Sequence, residues 1–177
     1  MDSLSDAQLI KRTIQRRGDA SLAFARLYGR YQHKVAAYVG AKVNYNHALV
    51  DDVLQDSFMT AWNKLEQLQD ANKFFPWLVT IARNTAMDVL RDKKRVEALS
   101  SLLSLDEEVA EPELDLGETE QILLLLEPIE REIVVMKAVL EYSLEEIATQ
   151  LSFKLSATKM RYYRALDKLK TELAHLS

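Results

Sequence analysis

Between Asp51 and Arg95 the apolar residues return with the period of an α-helix, and this constrains the fold of the chain more than any other feature. Leu54, Phe58, Ala61, Trp62 and Leu65 form one stripe, and Leu78, Ile81, Ala82, Thr85 and Val89 form a second. The polar segment from Gln67 to Lys73 separates them, and Pro76 stands where a helix's first turn tolerates a missing N–H. With only four glycines and three prolines in 177 residues and 48% hydrophobic content, little interrupts helices elsewhere. The expectation is an all-α protein.

The solvent sides of these two helices differ in chemistry. On the first, Asp51, Asp52, Gln55 and Asp56 crowd acidity near the helix start, which also suits the helix dipole. On the second, Asn84, Asp88, Arg91 and Arg95 share a polar stripe that runs into Lys93 and Lys94. Phe74, Phe75 and Trp77 sit between the two helices. Aromatic faces stack on unpaired bases and cations hold phosphates, so this combination suits a separated nucleic-acid strand. Spacing alone equally allows the three rings to be core.

Net charge is −4, which on its own argues against nucleic acid. The charges are segregated, however. Residues 1–95 carry 15 basic and 10 acidic side chains, residues 96–130 carry 11 acids and no base, and residues 131–177 carry 8 bases and 6 acids. The change in composition after Arg95, with Pro112 and Gly117, marks residues 96–118 as an acidic interdomain linker with little structure of its own. It is either a passive tether or an anionic segment that mimics nucleic acid. Zero cysteines exclude disulfides and thiolate metal sites, and the acids in MDSLSDAQLIKR are unlike a signal peptide. A cytoplasmic protein without membrane insertion is expected. No cofactor, metal or catalytic constellation is indicated: the three histidines are scattered, and no phosphate-cradling glycine loop is present.

The domain before the linker opens with helices from about Asp6 to Lys42. Ser5 is positioned as a cap, Gly18-Asp19 as a break, and Phe24, Leu27, Tyr28, Tyr31 and Val35 as a core stripe. The domain after it starts near Thr119. There Ile122–Leu126 reads as a buried helix and Pro128 opens the next. Ser143-Leu144-Glu145-Glu146 is a capping box leading into Ile147, Ala148 and Leu151. After a break at residues 152–154, a last helix turns Leu155, Thr158, Tyr162, Ala165 and Leu169 inward. Residues 154–170 hold six basic residues and one acid. The pair reads as a helix-turn-helix whose second helix enters a major groove.

Taken together, D-D-x-x-Q-D-x-F-x-x-A-W, a loop, F-x-x-W-L-x-x-I-A-R-N-x-A-x-D-x-L-R and the final S-L-E-E-I-A-x-x-L…T-K-M-R-Y-Y-R-A-L-D-K-L resemble regions two and four of bacterial sigma factors of the extracytoplasmic-function class. The resemblance implies two small helical domains, residues 1–95 and 119–177, joined by the linker. It implies that Asp51, Asp52, Gln55 and Asp56 dock the RNA polymerase core. Phe74, Phe75 and Asn84 would capture an extruded base of the downstream promoter element, with Arg91, Lys93, Lys94 and Arg95 on the adjoining backbone. Lys154, Ser156, Lys159, Arg161, Arg164 and Lys168 would meet the upstream element. The implied partners are core polymerase, promoter DNA and an anti-sigma factor. Two departures bear on upstream contacts: Ser152 stands where glycine is usual, and Lys154 where a capping serine or threonine is usual. A stand-alone helix-turn-helix regulator and a helical protein-interaction module are the alternatives. Either would be independent of core polymerase.

Overall fold

The computed structural model describes residues 4–15, 18–102 and 116–176, and among these it contains eight α-helices and no strand. Helix α1 (Asp6–Ile14) begins at a reciprocal cap: Ser5 Oγ accepts from the Gln8 N–H, and the Gln8 side chain accepts from the Ser5 N–H at 2.8 Å. Helix α2 (Ala20–Lys42) buries Leu27, Val35 and Val39. It ends in a turn in which Asn44 and Tyr45 both have positive φ. The turn folds the Tyr45 ring back over Gly40, where a Cβ would lie 2.9 Å from a ring carbon. Only glycine lets the ring sit there.

Asn46 caps α3 (His47–Lys64) by accepting from the Leu49 N–H at 3.1 Å. Two single 3-10 turns, Leu65–Gln67 and Ala71–Lys73, then lead to α4 (Phe74–Leu102). The first core lies among these helices, with Leu9, Leu27, Val53, Leu65, Leu78 and Ala82 buried. The Phe24 ring meets Trp62 edge-on at 5.1 Å and Phe58 at 6.3 Å, as the aromatic spacing predicts.

Helix α4 runs seven residues past Arg95, so the first part of the expected 96–118 linker is helical. No glycine or proline lies between Trp77 and Leu102 to stop it, and Lys93 pairs with Glu97 across one turn at 3.7 Å. The acidic residues 103–115 lie outside the described residues.

The C-terminal helices are α5 (Glu118–Leu124), α6 (Pro128–Ala138), α7 (Leu144–Leu151) and α8 (Leu155–Leu176). The apolar run Ile122–Leu126 is not a buried helix: α5 stops at Leu124, only Leu126 is fully buried, and Leu125 is 56% exposed. The Ser143 capping box forms, with both hydrogen bonds present, and Ile147, Ala148 and Leu151 face inward. Ser152 adopts the left-handed conformation, φ 58°, at the turn into α8. Thr158 and Ala165 are wholly buried on the inner side of α8.

The two halves share a second core. Tyr38, Ala41 and Tyr45 at the end of α2, with Val79 of α4, pack against Ile133, Val135 and Met136 of α6 and Ile147 of α7. Helix α2 therefore buries one face within its own domain and another beneath α6.

Candidate functional site

Three surfaces carry the residues singled out by sequence. The first is the outer side of α3, where Asp51, Asp52, Gln55 and Asp56 are all exposed. Beside them lies an open groove of about 740 Å³ between α2 and α3, with Asp51 and Gln55 on its rim. Its floor is apolar: Phe24, Tyr28, Leu54, Phe58 and Trp62, with Met59 56% exposed at the edge. Spacing alone puts Phe24 and Tyr28 in the core; the fold also opens them onto this groove. Met59, apolar yet on the acidic side of the helix, was the available signal for a groove.

The second surface is the turn before α4. Phe74 is completely buried, in ring contact with Tyr31 at 5.7 Å and Trp77 at 6.1 Å, so its expected place against a base is corrected. It begins the helix, and its side chain falls on the stripe with Leu78 and Ala82, which face the core. Phe75 is half-buried. Tyr31 stacks on it at 4.7 Å with planes 17° apart, Tyr142 meets it edge-on at 6.3 Å, and Lys34 Nζ lies 6.0 Å from the ring centre. The Tyr31 hydroxyl bonds Asp6; burial, then that hydrogen bond, raises its pKa well above the ordinary tyrosine value.

A cleft of about 400 Å³ opens beside this turn, between Gln67, Asp70, Lys73, Trp77 and Thr80, with Gln150 of α7 across its mouth. Trp77, and not Phe74, is the ring that borders it. Asn84 is exposed one helical turn beyond Thr80. Further along, Arg91 pairs with Asp88 at 3.1 Å, Arg95 with Asp92 at 3.7 Å, and Lys94 is exposed. Exposed pairs of this kind contribute about 0–1 kcal/mol, so they do not withhold these cations from phosphates.

The third surface is α8. Lys154, Ser156 and Lys159 are exposed near its start, with Lys159 4.0 Å from Glu145 of α7. Arg161 lies half-buried over the Phe153 ring at 4.7 Å. Arg164 and Lys168 are not the free cations expected: both reach back to Glu130 of α6, Lys168 Nζ at 2.8 Å. Glu130 is 0% exposed. Burial alone would raise its carboxyl, but the hydrogen bonds from Lys168 and Arg164 outweigh that and hold its pKa below the ordinary value. In the sequence Glu130 only closes the base-free, acid-rich stretch 96–130, and nothing beside it marks its partners on α8.

Two small helical domains, the second carrying a helix-turn-helix with basic residues on its outer side, define a two-domain helical DNA-binding protein. The sigma-70 region 2 model matches residues 27–96, and the sigma-70 region 4 model matches residues 116–169. The chain is 31% identical over 169 residues to the RNA polymerase sigma factor CarQ of Myxococcus xanthus, covering 90% of this chain and 94% of that one. It is 27% identical to the ECF RNA polymerase sigma-E factor of Haemophilus influenzae, across 99% and 98% of the two chains. Among solved structures, CnrH in complex with the cytosolic domain of CnrY superposes with a TM-score of 0.67 at 26% identity, covering 97% of this chain and 99% of that one. RpoE of Bartonella quintana, in complex with the anti-sigma factor NepR, shares the fold with a TM-score of 0.70, covering 85% and 96%. The chain belongs to the extracytoplasmic-function class of RNA polymerase sigma factors. Its function is promoter-specific initiation of transcription.

Proposed function

We propose that the three surfaces divide this function among them. Asp51, Asp52, Gln55 and Asp56 dock the polymerase core, offering carboxylates and an amide to a basic helical partner. The cleft bordered by Trp77 takes a base extruded from the downstream promoter element, with Phe75 and Asn84 beside it and Lys93, Lys94, Arg91 and Arg95 on the strand that leads away. Extruding a base costs a few kcal/mol, which stacking and edge hydrogen bonds recover, and this assists melting. Lys154, Ser156, Lys159 and Arg161 approach the upstream element, while Arg164 and Lys168 reach phosphates only by leaving Glu130. The 103–115 segment, with six acids and no base, connects the two promoter contacts, residues 1–102 and 116–177 acting as the binding units. CnrH is solved with the cytosolic domain of CnrY and RpoE with an anti-sigma factor; by analogy an anti-sigma partner covers the apolar groove of this chain in the cytoplasm.

The observation that carries this reading is the coincidence, on one domain, of an exposed acidic helix with a cleft bordered by a ring and followed by a basic helix. Run-off transcription from a pool of genomic fragments, with purified bacterial core enzyme, tests it. Discrete transcripts should require this chain. Changing Asp51, Asp52 and Asp56 together to alanine should weaken association with core by at least about tenfold, without lowering the melting temperature. Equal association of the triple variant, or specific promoter binding without core, would remove the reading.

A further inference from the structure

Glu130 of α6 is a buried carboxylate whose two oxygens are both taken by cations of α8: Arg164 Nε donates to Oε1, and Lys168 Nζ donates to Oε2 at 2.8 Å. The carboxylate is 0% exposed, yet the side chains it holds are 53% and 42% exposed. Two cations at the surface are thus anchored from beneath by one anion. Successive residues on a helix turn by about 100°, which fixes where this anchor lies on α8. Ser156, Lys159, Met160 and Tyr163, at relative positions i, i+3, i+4 and i+7, share the outward face, and all four are exposed. Thr158 and Ala165 are buried on the opposite side. Arg164 and Lys168 fall between the two, one turn apart on the flank. Glu130 therefore pins the later half of α8 to α6 along one edge, and this fixes the rotation of the helix about its own axis.

A helix in a major groove has phosphates along both sides, and contacts to them supply affinity without sequence information. Free cations on the flank of α8 would hold any duplex, promoter or not. With Glu130 between them, Arg164 and Lys168 bring one net positive charge to that flank in place of two. The pair Lys159–Glu145, at 4.0 Å and solvated on both sides, imposes no such restraint. We propose that Glu130 is a positioning residue for promoter recognition: it sets the face of α8 that enters the groove and holds Arg164 and Lys168 back from non-promoter phosphates, so that binding depends on base contacts. The inference rests on the assignment of α8 to the upstream promoter element. Glu130 itself touches no DNA. It acts through the two side chains it holds, and it lowers affinity for wrong sequences more than for the right one.

Glu130→Gln keeps the size of the side chain and removes its charge, and the far-ultraviolet circular dichroism spectrum should stay helical. Run-off transcription with purified core and the parent chain first selects a promoter fragment from the genomic pool. Binding of holoenzyme to that fragment and to a promoterless one is then compared by filter retention, and binding of the full chain alone to a short promoterless duplex is followed by fluorescence anisotropy as salt is varied. In the variant, affinity for the promoterless duplex should rise severalfold. The slope of log affinity against log salt should steepen by about 1–2, because each further phosphate held adds about 0.9. The preference of holoenzyme for promoter over promoterless DNA should fall severalfold. Removing the cations as well, in Glu130→Gln/Arg164→Gln/Lys168→Gln, should abolish the steepening. A merely structural Glu130 would instead give weaker binding to both fragments alike at an unchanged slope, and that result would overturn the proposal. A steeper slope that persists in the triple variant would overturn it too. If the parent chain directs no transcripts with core, the promoter reading falls and this proposal with it. If the parent transcribes and Glu130→Gln matches it in slope and preference, only the role of Glu130 falls.

Discussion

Ser152 holds φ 58°, ψ 39° at the end of α7 with a full side chain. Its N–H bonds the Thr149 carbonyl, and the next N–H, of Phe153, bonds the Ala148 carbonyl, so the left-handed residue closes the helix as a glycine usually does. A Cβ in this region costs roughly 1–2 kcal/mol, and serine bears that cost here. Ser152→Gly should therefore stabilise the chain by about 0.5–1 kcal/mol, read as a higher urea midpoint with an unchanged slope, after allowing for glycine's freer unfolded chain. The departure from glycine was legible in sequence, because the capping box at Ser143 and the apolar residues of both helices fix where the turn must fall. The left-handed Glu141 was not foreseen, since nothing in its own neighbourhood calls for that angle.

Helix α6 carries three consecutive charged residues, Glu130, Arg131 and Glu132, all buried. Successive positions on a helix point about 100° apart, so three neighbours can meet three different partners. Glu130 turns to Arg164 and Lys168 of α8, Arg131 to the turn after α2, and Glu132 to α2 and α4. Burial lowers the Arg131 pKa, with Tyr45 and Glu127 opposing; burial also pushes Tyr45 up to about 12. Because Glu130 titrates below 4.5 when folded, the folded chain gives up that proton more readily than the unfolded chain. The stability tied to its charge is fully present above 4.5 and disappears as pH falls through the lower folded value. Glu130→Gln should cost about 1–2 kcal/mol near neutral pH, the solvent exposure of both cations keeping the loss modest. Urea unfolding of the two proteins should converge as pH falls below the ordinary glutamate range and through the depressed folded value.

At the scale of the whole molecule, the shared core and the Glu132 cluster couple the two halves. A single cooperative thermal transition by calorimetry is the expected behaviour. Tyr38→Phe removes one hydrogen bond to Glu132 and leaves Lys42 and Arg83 in place. It should lower that transition by the equivalent of about 1–2 kcal/mol without splitting it. Two separate transitions in the parent chain would show that the halves unfold independently.

The helices, their caps and the helix-turn-helix could be taken from the chain alone, because they depend on residues three or four positions apart and on backbone groups at helix ends. Periodicity also shows that a residue is apolar-facing, but not which of two apolar faces it joins. Thus Phe74 entered the core, Trp77 took the cleft, and Phe24 and Tyr28 opened onto a groove. The partners of Glu130, Arg131 and Glu132 depended wholly on tertiary structure. Tyr38 and Glu132 stand 94 positions apart, and a charged residue in a linear chain carries no mark of the distant group that will neutralise it.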